Sequence, residues 1–212
     1  MAKKLFTVLE NHPEVMNSLA NQLGVDTNAV SFYDIYSLTD PELLALVPRP
    51  VFALLVIIPL TPTWHKARTA EDEDKAEYKA SRYIRSPSTL EAIRTDALPK
   101  SIWDRAKVLE ESEEFEKAHA EAAKLGDTAA PTPVSDEHTG QHFVAFVKAK
   151  DGNLWELEGA RKGPLNRGAL KSDEDVLSPA ALELGLGRLM RIETEQGGDL
   201  RFSAIALAPS FT

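Results

Sequence analysis

HFVAFVKAKDGNLWELEGARKGP, residues His142 to Pro164, is the stretch on which the fold turns. Apolar residues on either side of Asp151-Gly152 predict two strands, His142 to Val147 and Leu154 to Glu158, joined as an antiparallel hairpin. With a loop of Asp151-Gly152 alone, Glu158 would face Ala145, and His142 and Glu158 would point to opposite faces. A loop of Lys150-Asp151-Gly152 with Gly152 left-handed is also favoured. It pairs Ala149 with Asn153 and Glu158 with Val144, which makes His142 a same-face diagonal neighbour of Glu158, roughly 7–8 Å away between Cα atoms. A carboxylate that fixes an imidazole's tautomer is the base-and-orienter half of a hydrolytic triad. On spacing alone, a structural ion pair is the commoner reading of such a pair. A triad also needs a nucleophile, and the sequence offers no Gly-x-Ser-x-Gly elbow or other serine motif.

Upstream, Pro13 after Asn11-His12 predicts a helix start. Val15, Leu19 and Leu23 keep helical spacing until Gly24 stops the run. Val30 to Tyr36 reads as a short strand, and Asp40-Pro41 opens a helix carrying Leu43, Leu44 and Val47. Val51 to Ile58 is apolar at every position, the pattern of a central strand covered on both faces. Thr61 to Ser86 is a long polar loop with the acidic run Glu71-Asp72-Glu73-Asp74, expected to be solvated. Ser86-Pro87 caps a short helix through Ile93, and Pro99 opens a longer one to Leu125. Gly126 to Gln141 is a loop. Ser178-Pro179 caps a last helix with Leu182, Leu186 and Leu189, and Leu200 to Leu207 alternates as a final strand. These elements predict one α+β domain over residues 1–212, an antiparallel-rich sheet between helices.

The 212 residues are 43% hydrophobic, enough for one buried core. A net charge of −9 argues against nucleic acid, which needs clustered Lys and Arg. There is no cysteine, which excludes disulfides, thiolate metal sites and any thiol nucleophile. The opening residues lack the apolar core of a signal peptide, and Val51 to Leu60 is too short to cross a bilayer. A soluble cytoplasmic or nuclear monomer is the expectation. His138 and His142 are four apart, but Thr139-Gly140 between them argues against a helical metal site. Gly185-Leu186-Gly187 follows no strand, so a phosphate loop is not expected. His12, His65 and His119 read as lone surface histidines. No cofactor is indicated.

ENHPEVMNSLANQLGV (Glu10 to Val25) and YDIYSLTDPELLALVPRPVFALLVIIPL (Tyr33 to Leu60) resemble the opening of the ubiquitin C-terminal hydrolase family. The hairpin His142 to Gly159 is similar to that family's histidine strand and returning acid, and LRFSAIALAPS (Leu200 to Ser210) to its closing strand. The resemblance implies a papain-like helix–sheet–helix sandwich, knotted in the family. It implies a thiol-dependent hydrolase acting at the C-terminal glycine of ubiquitin or a related modifier, a deubiquitinating enzyme of protein catabolism. His142 would be the general base, and Glu158 would stand where the best-known members have aspartate. The loop Gly126 to Gln141 would be the crossover loop that limits the leaving group.

One departure decides the expected outcome. The family has a strand ending in an oxyanion-hole glutamine and then a Cys-Gly opening a long buried helix. Here Tyr78 to Arg85 runs straight into Ser86-Pro87-Ser88-Thr89-Leu90, which is similar to the region beyond that helix. An internal deletion near 78–86 is expected, on the order of 25–35 residues by typical element lengths. Gln141 precedes the histidine in sequence and does not qualify for the oxyanion role. Without the helix the core loses its central partner, at about 2–5 kcal/mol for each large side chain. The chain is therefore expected to fold poorly and to be inactive, a version of a working cysteine hydrolase that lacks an internal piece. A non-catalytic ubiquitin-binding module is the alternative, and a hydrolase that activates water directly with His142 and Glu158 is a third.

Overall fold

The computed structural model describes residues 6–71, 83–127, 141–195 and 201–211. Along the chain run α1 (Pro13–Leu23), β1 (Val30–Asp34), α2 (Pro41–Leu44), β2 (Ala53–Pro59), α3 (Pro62–Glu71), α4 (Thr89–Ala97), α5 (Ile102–Glu111) and α6 (Glu113–Ala123). The second half holds β3 (Gln141–Lys148), β4 (Asn153–Glu158), β5 (Leu165–Ala169), α7 (Pro179–Leu184), α8 (Leu186–Glu195) and β6 (Ser203–Pro209). The chain divides into two compact units, one of residues 1–32 with 81–136 and one of 33–80 with 137–212.

The first unit is helical. Pro13 opens α1, and Gly24, at φ +107°, closes it by donating its N–H to the carbonyls of Ala20 and Asn21. The helix expected from Ser86 begins two residues later, because Ser88 rather than Ser86 is the cap: its hydroxyl accepts the N–H of Glu91 at 3.2 Å. The stretch expected as one helix from Pro99 to Leu125 is two. Ser112 takes an extended conformation between them and caps α6 by accepting from the N–H of Phe115. Phe6 packs edge-on against Phe115, and Glu10 Oε2 accepts from the N–H of Asp127 at 2.7 Å, which lays the N-terminal segment along α6.

The second unit holds most of the sheet, in the order β6-β2-β3-β4-β5; three of the five residues of β1 belong to the first unit. β2 is central, antiparallel to both β3 and β6, with Val56 opposite Val144 on one side and Ala204 on the other. Alternation sends Leu54, Val56 and Ile58 into a core shared with Val144, Phe146 and Leu154, closed by Leu182, Leu186 and Leu189 of α7 and α8. The expectation that β2 is buried on both faces is corrected: Ala53, Leu55 and Ile57, on its other face, are only half-buried. The polar loop expected from Thr61 is also corrected through Glu71, which is α3; residues 72–82 lie outside the described residues. α3 presents one buried residue, Trp64, so its pattern carries almost no amphipathic signal. The last helix divides at Gly185 into α7 and α8. Strand β5, Leu-Asn-Arg-Gly-Ala, has no clear alternation and was not foreseen. The architecture is α+β, as expected. Among the described residues no helix is long and apolar enough to cross a membrane.

Candidate active site

The hairpin takes the three-residue loop. Ala149 N–H donates to Asn153 O at 3.0 Å, Gly152 N–H to Ala149 O at 3.1 Å, and Gly152 sits at φ +82°. Val144 therefore stands opposite Glu158. His142 and Glu158 share a face, and Nε2 of the imidazole meets Oε1 of the carboxylate directly.

Each partner is held from a second side. Glu158 has a fully buried side chain, and the same Oε1 accepts the N–H of Ala160 at 2.7 Å. Burial acts to raise the carboxyl's pKa. The hydrogen bonds from His142 and Ala160, with the charges of His142 and Arg68, outweigh it and hold the carboxyl below its ordinary value. The carboxylate only accepts, so the neutral imidazole carries its proton on Nε2, and Nδ1 keeps a lone pair for a substrate or nucleophile. The imidazole side chain is 25% exposed, which leaves it reachable. Trp64 of α3 lies against it, with ring centroids 5.6 Å apart and planes tilted by 51°.

Sequence reasoning missed the charges next to this pair. Glu156 is fully buried, and its carboxylate takes Arg161 Nε at 2.8 Å on one oxygen and Arg167 Nε at 2.8 Å on the other. Glu71 joins them: it accepts from Arg161 and Arg167 and pairs with Arg188. The expectation of a solvated acidic run is thus corrected at Glu71, because three guanidinium groups draw it in. Asp72, Glu73 and Asp74 lie outside the described residues. The signal for Glu156 was a charged residue at an inward-facing strand position, between Leu154 and Glu158. His119 is not a lone surface residue either: it is half-buried between Phe6 and Phe115, and burial lowers its pKa. His138 and most of the loop Gly126 to Gln141 fall outside the described residues. Among the described residues no cluster of His, Asp and Glu is arranged to hold a metal ion.

The sequence model of the ubiquitin carboxyl-terminal hydrolases, family 1, matches residues 6–85 and 80–188. The chain belongs to this family. As a family 1 member it is 32% identical over 192 residues to a ubiquitin carboxyl-terminal hydrolase of Aplysia californica, covering 78% of this chain and 86% of that protein. It is 28% identical to ubiquitin carboxyl-terminal hydrolase 3 of Arabidopsis thaliana, covering 98% and 95% of the two chains. That alignment runs over 237 positions, more than the 212 residues of this chain. Human isozyme L1 is 28% identical over 229 positions. In fold, this family member resembles the Trichinella spiralis UCH37 catalytic domain, solved with ubiquitin vinyl methyl ester. The TM-score is 0.71 at 16% identity, over 99% of this chain and 98% of that one.

Proposed function

We propose that this chain is a single ubiquitin carboxyl-terminal hydrolase domain from which the segment bearing the nucleophile is missing, so that it binds ubiquitin without cleaving it. The observation that carries the reading is a formed His142–Glu158 pair in a family 1 chain that contains no cysteine. In a thiol hydrolase the imidazole takes the thiol proton, the thiolate adds to the carbonyl, and the imidazolium returns the proton to the leaving group. Here His142 is the base and Glu158 the orienter, and with no thiol to deprotonate the sequence stops before its first step. The reading places the protein among thiol-protease relatives of the cytoplasm or nucleus, acting as a monomer on ubiquitin or a related modifier.

Three observations support a deletion near 78–86. The two pieces of the family match overlap at residues 80–85. The alignment with the Arabidopsis relative is longer than the chain. One face of β2 is left half-buried. Sequencing the transcript across the codons for Glu77 to Pro87 tests it: an in-frame insert encoding a glutamine and a Cys-Gly would identify the working enzyme, and a confirmed junction would make this chain a non-catalytic variant.

The chain itself is tested with ubiquitin by calorimetric titration and with a fluorogenic ubiquitin C-terminal ester. Measurable affinity without turnover is expected. Turnover that vanishes in His142→Ala would replace this reading with direct water activation, and absence of affinity would remove ubiquitin as the partner.

A further inference from the structure

A closed circuit of contacts surrounds the candidate base. His142 Nε2 meets Glu158 Oε1, and the same oxygen accepts the N–H of Ala160 at 2.7 Å. The carbonyl of Ala160 accepts from the Arg68 guanidinium. That guanidinium lies over the Trp64 ring, 5.4 Å from its centroid, and the Trp64 ring lies 5.6 Å from the His142 ring. The five residues come from three places: α3 supplies Trp64 and Arg68, β3 supplies His142, and the end of β4 with the turn after it supplies Glu158 and Ala160.

We infer that Trp64 is a positioning residue for the His142–Glu158 pair, holding the imidazole plane so that Nε2 stays on the carboxylate and Nδ1 stays free for a reactant. The assignment of His142 as base rests on the function proposed above.

α3 is anchored at both ends, so the indole has little freedom to follow the imidazole. At its start, Thr61 Oγ1 accepts the Trp64 N–H at 3.0 Å and donates to Glu193 Oε1 of α8 at 2.5 Å. At its end, Glu71 is held by Arg161, Arg167 and Arg188. Trp64 is 3% exposed, whereas the imidazole it touches is one-quarter exposed. A fixed apolar wall on one side and a carboxylate on the other leave a histidine one orientation. Filling space would require only bulk at position 64. The circuit instead uses the aromatic ring itself, which a guanidinium lies over and which the imidazole packs against at a tilt.

The test reads the tautomer of His142 in the free, full chain by long-range proton–nitrogen NMR, with cooperative melting recorded for every variant. In the parent chain a single Nε2–H tautomer is expected. Trp64→Leu should populate both tautomers and speed exchange of the Nε2 proton with water by about two- to tenfold, the range for losing one aromatic contact. Trp64→Phe should restore the single tautomer. An unchanged tautomer in a folded Trp64→Leu chain would overturn the inference, as would a Trp64→Phe chain as loose as the leucine variant. If Trp64→Leu does not melt cooperatively, Trp64→Met decides: its longer, flexible side chain fills more of the same space without a ring. Mixed tautomers there support the inference, and a single tautomer refutes it. Ubiquitin takes no part in these measurements, so failure to bind it would sink the proposed function and leave this result standing.

Discussion

Glu156 and Glu158 stand two residues apart on β4 and point to the same face of the sheet, yet they meet opposite kinds of partner. Glu156 faces two guanidinium groups that never lose their charge; Glu158 faces an imidazole that can. Arg161 links the two, pairing with the Glu156 carboxylate through Nε and donating its backbone N–H to the Glu158 carbonyl at 3.1 Å. The permanent ion pairs thereby fix the strand end from which the titratable pair is hung.

Replacing Glu156 with leucine should be among the most damaging single changes in the second unit. The side chains of Arg161 and Arg167 are 2% and 7% exposed, and loss of their shared carboxylate leaves buried positive charge opposed, among the described residues, by Glu71 alone. A loss of about 3–5 kcal/mol is expected, the usual cost of breaking a buried pair from one side. The urea midpoint measures it, with Arg161→Met in the Glu156→Leu background recovering part of the loss.

Stability should fall on the acid side. Burial acts to raise the carboxyl of Glu71, but hydrogen bonds and charges from Arg167 and Arg188 outweigh it and hold the group below its ordinary 4.5. Glu158 is held low as well, through His142 and Ala160. With folded values below unfolded ones, the unfolded chain binds protons first as pH drops. The stabilisation is complete above the unfolded value and is lost as pH falls through the folded ones. Urea midpoints should decline between about pH 5 and pH 3, and Glu71→Gln should flatten the decline while lowering the plateau.

Two glycines with positive φ should respond differently to alanine. At Gly24 a Cβ would lie 2.1 Å from Ser88 Cβ, the residue that caps α4, so the turn after α1 and the start of α4 must move together. At Gly152 the nearest atom to a Cβ is Leu170 O, at 3.9 Å, so only backbone strain opposes the change. Gly152→Ala should cost about 1 kcal/mol, and Gly24→Ala about 3 kcal/mol or more. Thermal melting of the two variants side by side checks the order.

The hairpin was legible because its determinants are local: alternation sets the faces, and Gly152 in a three-residue loop sets the register that brings His142 to Glu158. The sequence left two loop lengths open, and the structure decides between them. α3 was not legible, because Pro62-Thr63-Trp64-His65-Lys66 shows no apolar stripe. The helix is held by a threonine hydroxyl at one end and arginines from distant segments at the other. The ion-pair network escaped for the same reason: Glu71, Glu156, Arg161, Arg167 and Arg188 are scattered over more than a hundred residues, and no spacing rule connects them. Ser112 divides a stretch whose Glu, Lys and Ala content reads as continuous helix, because one hydroxyl can outbid helix propensity at a cap.

The alternation of cover along β2, with Leu54, Val56 and Ile58 sealed and Ala53, Leu55 and Ile57 half-wet, has a calorimetric signature. Apolar surface already touching water in the native state contributes nothing to the heat-capacity step on unfolding. The step, roughly 12–15 cal/mol/K per residue for an ordinary domain, should be reduced only by the share that these three side chains leave in water. A reduced step lowers the curvature of stability with temperature in the same proportion.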